Sequence, residues 1–489
     1  MNKQTWIEHL SSWKQFLRDR LSDTDDRGER IKIERQLRTL ERVSCGAALN
    51  PMLLSEFINP SSDLGNELEC DSFSLNLNDS QKKAVRAALG SNELTLIQGP
   101  PGTGKTQVIA EICLQVYQRN PGIRILVCSE THVAVNNLIN RIAKQNDEIR
   151  IVRIQDKEND DSIDDFSPET LISDYLTWAS ASIKNKDALS IISGELQDSS
   201  DKSLEKALAL SANIAGMTCN RAAAYDFRDS TEMFDIAIVD EVCKATLPEI
   251  LAPLLIARKA VLLGDPMQLP PVFCSEERNI IRLREGCNLD KYMYIDALFM
   301  KSDISLMLDT QYRMSNKISK MISELFYDGM LKNGRNDKKE NSVTWMNYNP
   351  TQPWPMPQEE SSENPRIYNE DECFIISDLV NDIISSDSDL KIGIISPYKA
   401  QSMLLKKAIG IADNVQIDTV DGFQGKECDV IIFSVTRTTG SYRFLADKRR
   451  INVALSRAKD RIIIVGEAKY AAGNNLLSNI MTYCTFRNK

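Results

Sequence analysis

Short apolar runs rich in Val, Ile and Leu recur along most of the chain and alternate with segments of helical spacing. Most of these runs end in small or acidic residues, which is typical of strands in a parallel sheet that helices cover on both faces. The pattern therefore predicts an α/β fold of the doubly wound type. The predicted strands are ELTLIQG (93–99), IRILVCSE (123–130), FDIAIVDE (234–241), KAVLLGD (259–265), LKIGIISP (390–397), DVIIFSVT (429–436) and RIIIVGE (461–467).

The predicted strands form two groups, one between 93 and 265 and one between 391 and 467. Two separate groups favour two domains with parallel sheets over one long sheet. We place the first domain at 75–300 and the second at 301–489. A chain of 489 residues corresponds to about three units, so a further segment is expected before the first sheet.

That segment is 1–74. Apolar residues lie three or four apart over 4–20, and a second helical pattern covers 28–43, with the polar turn SDTDDRGE between them. Residues 50–74 are typical of a short helix and a connector. We therefore expect an N-terminal helical stalk.

Two stretches fit neither sheet. The stretch from 141 to about 210 carries an acidic run at 156–165, and we interpret it as a helical insertion in the first domain. The acidic run is expected to be a solvated loop, with the alternative that it keeps nucleic acid off the wrong surface. Residues 333–366 hold five prolines and little periodicity, which predicts an irregular surface excursion.

The composition of the chain excludes several kinds of functional site. Lys and Arg number 59 against 69 Asp and Glu, so the net charge is −10 and any nucleic-acid site must be a local groove. Two histidines exclude multi-histidine metal sites. Eleven cysteines without a C-x-x-C pair favour reduced thiols over an iron–sulfur or zinc site. With no signal-peptide core and no apolar stretch of membrane length, we expect a cytoplasmic protein.

A phosphate loop follows the first predicted strand. Its sequence, GPPGTGKT, fits G-x-x-x-x-G-K-T between a strand and a helix. Backbone N–H groups and the helix N-terminus would cradle phosphates, Lys105 would reach the β and γ oxygens, and Thr106 would hold Mg²⁺. The predicted nucleotide ligands are Gly99, Pro100, Pro101, Gly102, Thr103, Gly104, Lys105 and Thr106.

Two carboxylates end the strand FDIAIV. Asp240 can ligate Mg²⁺ and Glu241 can polarise an attacking water, so that together with the phosphate loop they predict an ATPase. Gln268, in the turn GDPMQLPP, could sense the γ-phosphate. The alternative is a turn that its prolines and aspartate stabilise.

Two arginines could stabilise the charge that develops during phosphoryl transfer. Arg313 lies in DTQYRM and Arg457 in RRINVALSRAKDR. An arginine in that role is worth about 10³ to 10⁵ in rate. Taken alone, either arginine is better explained as part of a surface salt bridge, and only the company of the other segments favours the catalytic role.

The ordered set of segments resembles the superfamily 1 helicases, most closely the branch containing the up-frameshift RNA helicase of nonsense-mediated decay, the immunoglobulin mu-binding helicase and senataxin. The resemblance covers about 75–466. Besides the phosphate loop, the matching segments are LNDSQ (77–81), CSETHVAVN (128–136), DEVCKAT (240–246), GDPMQLPP (264–271), QYRM (311–314), FYDG (326–329), IISPYKAQ (394–401), VDGFQGKE (420–427) and NVALSRAK (452–459).

The resemblance implies two RecA-like domains that hydrolyse ATP between them, and it implies roles for single residues. Gln81 would read the adenine edge and Tyr312 would stack on the adenine. Arg313 would meet phosphate, and Arg457 would be the arginine finger. The other implied roles are the ribose and nucleotide contacts of Glu427 and Gly425, help to the finger from Arg437, and nucleic-acid contacts by Thr131, His132, Val420 and Asp421.

The resemblance implies an ATP-dependent helicase or translocase that moves 5′ to 3′ on single-stranded DNA or RNA. Two departures bear on this expectation. Lys244 replaces the family's Gln, and the stalk lacks the β-barrel that relatives usually carry. The alternative is therefore a nucleic-acid-stimulated ATPase that acts as a switch or loading subunit, with a protein partner on the stalk or insertion.

Overall fold

The structure is a computed structural model of the chain. It describes residues 3–60, 67–70, 72–155, 165–183, 185, 187, 190, 207–224, 234–273, 277–278, 281, 294–301, 304–336, 342–356, 359, 366–410 and 412–489. The acidic run at 156–165, which we predicted to be a loop, lies almost entirely outside these residues. None of the helices in the described ranges combines the length and apolar character that crossing a bilayer requires.

The chain divides into two compact units. Unit 1 comprises 1–98, 105–266 and 270–307. Unit 2 comprises 99–104, 267–269 and 308–489. Unit 2 therefore includes two short segments that precede its main part in the sequence, 267–269 and 99–104, and the second of these is most of the phosphate loop.

Unit 1 is built on a seven-stranded sheet in which all neighbouring strands run parallel, in the order β3-β4-β2-β5-β6-β1-β7. The middle strands are apolar and almost wholly buried, as expected when both faces are covered. The strands are β1 (Leu94–Gln98), β2 (Ile125–Ser129), β3 (Ile151–Arg153), β4 (Ile214–Thr218), β5 (Phe234–Val239), β6 (Ala257–Gly264) and β7 (Ser305–Met307).

Side-chain caps fix where several helices of unit 1 begin. Asn78 and Gln81 form a reciprocal capping box at α4, and Thr131 caps α6. The helices are α1 (Lys3–Asp23), α2 (Arg27–Ser44), α3 (Pro51–Ile58), α4 (Asp79–Gly90), α5 (Lys105–Arg119), α6 (His132–Ala143), α7 (Pro168–Ser182), α8 (Cys219–Ala222), α9 (Leu247–Leu255) and α10 (Tyr294–Phe299).

The N-terminal helix pair packs on the body of unit 1. Trp13 and Phe16 of α1 contact the ring of Phe273, at centroid distances of 6.4 and 6.1 Å. Lys32 of α2 forms a 2.9 Å ion pair with Glu249 of α9. The pair thus shares one hydrophobic core with the helices of unit 1.

Unit 2 is built on a six-stranded parallel sheet in the order β12-β11-β13-β14-β10-β15. A two-stranded parallel pair, β8 with β9, lies beside the QYRM segment. The strands are β8 (Thr310–Gln311), β9 (Lys332–Asn333), β10 (Val343–Asn347), β11 (Ile392–Ser396), β12 (Val415–Thr419), β13 (Cys428–Ser434), β14 (Ala458–Val465) and β15 (Thr485–Asn488).

The helices of unit 2 alternate with these strands. One of them, α11, begins two residues after the QYRM segment, while α13 begins within IISPYKAQ and α14 ends within NVALSRAK. The helices are α11 (Asn316–Phe326), α12 (Glu370–Ser386), α13 (Lys399–Ile409), α14 (Lys448–Leu455), α15 (Ala468–Ala471) and α16 (Asn475–Met481).

All seven predicted strands are strands of the two sheets, and the α/β fold with parallel sheets and two RecA-like domains is confirmed. The prediction that 333–366 is irregular throughout was wrong. Within it, β10 pairs with β14 and β15, and Trp345 of β10 is fully buried. The statement that 141–210 fits neither sheet was wrong for β3, which pairs with β4. β3 has only three residues, and polar residues interrupt the apolar run of β10.

Candidate active site

The phosphate loop packs against the QYRM segment within unit 2. The N–H of Tyr312 donates to the carbonyl oxygen of Gly102 at 2.9 Å. Gly102 has φ +75°, and a Cβ atom there would lie 2.7 Å from Cβ of Arg313. Only glycine satisfies both the left-handed backbone and this close approach.

Lys105 and the two carboxylates meet in unit 1, where α5 begins and β5 ends. Lys105 Nζ lies 3.4 Å from Glu241 Oε1. The N–H of Glu241 donates to Asp240 Oδ1 at 2.9 Å, and Glu241 has φ +56°. A left-handed backbone at a non-glycine residue costs energy that the surrounding structure must offset, and such strain is common at functional sites.

The charge balance around Asp240 suits a bound cation. Burial, and then the negative charge of Glu241, raise the pKa of Asp240 to about 7, although Lys105 acts in the opposite direction. Among the residues that the structure describes, no three His, Cys, Asp or Glu side chains form a metal cluster. Mg²⁺ needs few protein ligands beside phosphate oxygens, so one carboxylate from Asp240 and the hydroxyl of Thr106 fit it.

Arg457 and Gln268 are neighbours in unit 2. Arg457 is 4 % exposed, and its Nη2 lies 3.4 Å from Gln268 Oε1. The turn that carries Gln268 is held to α14, since Asn452 Nδ2 donates to the carbonyl oxygen of Met267 at 2.7 Å. The structure thus brings together the predicted γ-phosphate sensor and the predicted finger.

Arg313 is held by acceptors within unit 2. Its Nε donates to Glu427 Oε2 at 2.8 Å, and its Nη1 donates to the carbonyl oxygen of Ser456 at 3.2 Å. Lys459 lies 3.0 Å from the other oxygen of Glu427. Burial opposes the charge of Glu427, but Arg313 and Lys459 outweigh it and hold its pKa below the usual value. The predicted ribose ligand is therefore an ionised partner of the predicted phosphate ligand.

Tyr312, the predicted adenine platform, is 47 % exposed. Its ring lies against Gly334, where an added Cβ would come within 2.3 Å of it. Arg335 supports the same segment, because its Nη1 donates to the carbonyl oxygen of Arg313 at 2.6 Å and its Nη2 pairs with Asp460 at 2.8 Å. An exposed aromatic face on a fixed loop can stack on a base.

Gln81 is 3 % exposed and serves the cap of α4. Its Oε1 accepts from the N–H of Asn78 at 3.0 Å. The structure therefore places an oxygen of the predicted adenine reader in a helix cap. A single amide can hold its helix and still use its NH₂ group toward a ligand.

The predicted nucleic-acid residues of unit 1 lie at the N-terminus of α6. Thr131 Oγ1 accepts from the N–H of Ala134 at 3.3 Å, and His132 is the first residue of the helix. Glu130, just before them, forms a 3.1 Å ion pair with Lys244. The residue that departs from the family pattern thus contacts the predicted nucleic-acid segment within unit 1.

The predicted nucleic-acid residues of unit 2 differ in exposure. Val420 is fully buried, so only its main chain can reach a ligand. Asp421 pairs with Arg450 at 3.7 Å. Gly425 has φ +81° in the same segment. Arg437, the predicted helper of the finger, donates from Nε to the hydroxyl of Tyr398 at 2.9 Å.

Sequence reasoning missed three residues around this machinery. Arg153 and Arg335 fell in stretches that we interpreted as an insertion and an excursion, and Lys459 was seen only as the end of a motif. Only Arg153 could have been recognised from the sequence. It is the second arginine of the otherwise apolar stretch IRIVRI (149–154), and a buried charge there needs several acceptors.

Comparison with protein families gives two matches, each described as an AAA domain. One covers residues 292–469, and the other covers 76–188 and 177–276. Together the matched ranges include every motif segment named above.

Known relatives match most of the chain. The chain is 30% identical over 470 residues to the DNA polymerase alpha-associated DNA helicase A of Saccharomyces cerevisiae, and the match covers 84% of this chain and 68% of the relative. It is 32% identical over 433 residues to the regulator of nonsense transcripts 1 of Caenorhabditis elegans, with 83% and 39% covered. The chain thus spans well under half of that second relative.

Among solved structures, the chain is similar to an arterivirus nonstructural protein 10 helicase. The identity is 15%, the TM-score is 0.40, and the match covers 82% of this chain and 64% of the other.

Proposed function

The chain belongs to the superfamily 1 helicases, in the up-frameshift-like branch, and from this premise we propose that it uses ATP hydrolysis to move 5′ to 3′ along single-stranded DNA or RNA. Members of this family are ATP-hydrolysing helicases. The observation that carries the proposal is the 3.4 Å approach of Lys105 to Glu241 beside Asp240. It joins the phosphate loop to the two carboxylates that hydrolysis needs.

The residues of unit 1 divide the work on the triphosphate. Lys105 binds the β and γ oxygens as a point charge. Asp240 and Thr106 would hold Mg²⁺, which would supply positive charge to neutralise the phosphates. Glu241 orients a water and accepts its proton, and its left-handed backbone fixes where the carboxylate lies. The ion pair of Lys105 with Glu241 supports these roles, because it brings the required cation and anion together.

The residues of unit 2 stabilise the charge that develops on the transferred phosphoryl group. Arg457 is buried and lies beside Gln268, so hydrogen bonds hold its guanidinium before the reaction begins. Arg313 is held likewise by Glu427. Groups that are already oriented cost little reorganisation during the reaction, which makes them effective in catalysis.

Movement requires that hydrolysis change how the protein binds the nucleic acid. In unit 1, a short series of contacts connects the carboxylates to the predicted nucleic-acid segment. The carbonyl oxygen of Glu241 accepts from the N–H of Lys244 at 2.9 Å, and Lys244 pairs with Glu130, next to Thr131. A shift of the carboxylate turn on hydrolysis would therefore change the N-terminus of α6. Helix N-termini and short polar side chains are common phosphate ligands, so this segment would grip the backbone without reading sequence.

The test is ATP turnover and strand displacement by the full chain. We expect single-stranded oligonucleotides to stimulate turnover and a duplex with a 5′ tail to be displaced faster than one with a 3′ tail. Lys105→Ala is the control for activity from contaminants. A preference for the 3′ tail would overturn the direction. Stimulated turnover without displacement of either duplex would favour the alternative, a switch or loading subunit.

The identity of the strand is tested in the same assay. DNA and RNA oligonucleotides of equal length separate the two substrates, because only RNA offers a 2′-hydroxyl. A protein partner also remains a prediction. The described residues that favour it are Tyr175 and Trp178 on α7, which are 46 % and 58 % exposed.

A further inference from the structure

Arg153 of β3 is fully buried and joins β3 to α6 within unit 1. Its Nη1 donates to the carbonyl oxygens of Ile154 and Gly216, at 2.5 and 3.2 Å. On the other side of the guanidinium, Nε donates to Asn136 Oδ1 at 2.7 Å, and Nη2 lies 3.0 Å from His132 Nδ1. The guanidinium is therefore fixed by the sheet and bound to two side chains of α6.

The two side chains on α6 are four residues apart, so they lie on one face of the helix, one turn from each other. A guanidinium has five N–H donors in a planar fork and no acceptor. It can therefore fix the rotation of α6 about its axis through two bonds at once, whereas a lysine ammonium is a compact charge without that fork.

The same geometry sets the protonation of His132. Because arginine only donates, Nδ1 must be the acceptor of the 3.0 Å contact, and the ring is neutral with its hydrogen on Nε2. His132 is half-buried and follows the helix cap Thr131, in the segment proposed to contact nucleic acid. An Nε2–H group there is a hydrogen-bond donor suited to a phosphate oxygen.

We propose that Arg153 is a positioning residue that holds His132 as a neutral Nε2–H donor for the backbone of single-stranded nucleic acid. The ligand in this inference, nucleic acid, rests on the proposed function. The tautomer of His132 does not depend on that function. A purely structural Arg153 would tie β3 to α6 without any effect on the ring hydrogen or any coupling to His132 in binding. These two consequences can be measured separately.

The first measurement is the imidazole nitrogen spectrum of the full chain after histidine-selective labelling. Only His9 and His132 are present, so His9→Gln assigns both rings. We expect His132 at neutral pH to carry its hydrogen on Nε2, and Arg153→Lys to yield a mixture of tautomers. A hydrogen on Nδ1 in the unchanged protein, or the same spectrum in Arg153→Lys, overturns the proposal.

The second measurement is the affinity for a fluorescent single-stranded oligonucleotide in a double-mutant cycle. Arg153→Lys and His132→Ala should each weaken binding about tenfold, the size of one lost hydrogen bond to a charged group. The double variant should be little worse than either, because Arg153 acts through His132. Arg150→Lys is the matched control, since Arg150 is exposed and its Nε donates to Ser211.

Thermal unfolding of each variant shows whether its fold is retained. Additive losses in the cycle would overturn the coupling. Unchanged binding by His132→Ala would instead refute the proposed nucleic-acid role of this segment, while the tautomer of His132 would still be read from the first measurement.

Discussion

Lys105 and Glu241 form an ion pair across the carboxyl edge of the unit 1 sheet, with 3.4 Å between Nζ and Oε1. Neither side chain is deeply buried, at 13 % and 29 % exposure. The ammonium can therefore exchange this carboxylate for phosphate oxygens without leaving a buried charge unpaired. The pair keeps together two groups for which we propose different tasks in hydrolysis.

Glu241→Gln should separate binding from hydrolysis. The amide cannot accept the proton of a water, so turnover should fall by about 10² to 10⁴, while ATP affinity changes little. Binding of a fluorescent ATP analogue and release of phosphate measure the two quantities. Lys105→Ala is the contrasting variant and should lose nucleotide binding. Near-normal turnover by Glu241→Gln would refute its role with water.

Arg457→Ala should reduce turnover much more than affinity, by about 10³ or more. In the proposed mechanism, the buried guanidinium beside Gln268 acts on the transition state and is not needed for ground-state binding. Arg443→Ala in the same unit is the control, because Arg443 is exposed. If Arg457→Ala weakened ATP binding and left the maximal rate unchanged, the finger would have to be another residue.

Lys244→Gln, which restores the family's usual residue, should reduce the stimulation of turnover by nucleic acid more than it reduces basal turnover. The change removes the 3.1 Å pair with Glu130 and so interrupts the route to Thr131. Both side chains are about a quarter exposed, so the loss in folding stability should stay below ~1 kcal/mol. Glu130→Gln should behave alike, and the double variant should be no worse. Additive effects on stimulation would show that the two residues act separately.

The sequence predicts the strands and the phosphate loop because both depend on local patterns. A strand such as β2 is apolar throughout, and a loop such as 99–106 has a fixed spacing of glycines. By contrast, β10 has the same length as β2, but the polar residues Thr344 and Asn347 interrupt its apolar run. Its place between β14 and β15 is set by pairing with distant strands, which the segment itself does not encode.

The contacts of the candidate site also divide into those that local sequence predicts and those that depend on distant residues. The order of the motifs predicts which residues form the site, but the partner of each residue depends on packing. Lys244 with Glu130 and Arg153 with His132 join residues that are far apart in sequence, through side chains with several possible partners. The cap that uses Gln81 was, by contrast, local, and the spacing of Asn78 and Gln81 could have revealed it.

Gly102→Ala should abolish most ATP turnover, and Gly410→Ala should not. Both glycines have a positive φ, +75° and +78°, so either alanine should cost about 1 to 3 kcal/mol of stability. Only at Gly102 does the new Cβ meet another atom, Cβ of Arg313 at 2.7 Å, whereas nothing lies within 4 Å at Gly410. Equal turnover by the two variants would show that the contact with Arg313 does not matter for activity.

Glu372 of α12 is a fully buried carboxyl of unit 2. Three donors reach it, namely the hydroxyls of Ser434 and Tyr348 at 2.6 and 3.1 Å and the N–H of Thr436 at 2.9 Å. Burial nevertheless raises the pKa of Glu372 to about 8, against the effect of the donors. At neutral pH the folded protein therefore holds a proton that the unfolded chain releases.

The stability of unit 2 should consequently fall as pH rises from about 4.5 to about 8. In that window the folded state binds more protons at Glu372 than the unfolded state, so the free energy of unfolding decreases with pH. Glu372→Gln cannot titrate, so the difference in unfolding free energy between it and the unchanged chain should shift by on the order of a few kcal/mol between pH 5 and pH 8.5. Urea unfolding followed by tryptophan fluorescence measures this. Glu370→Gln, at an exposed position on the same helix, is the control and should give a flat difference. A flat difference for Glu372→Gln as well would mean that this carboxyl stays ionised in the folded protein.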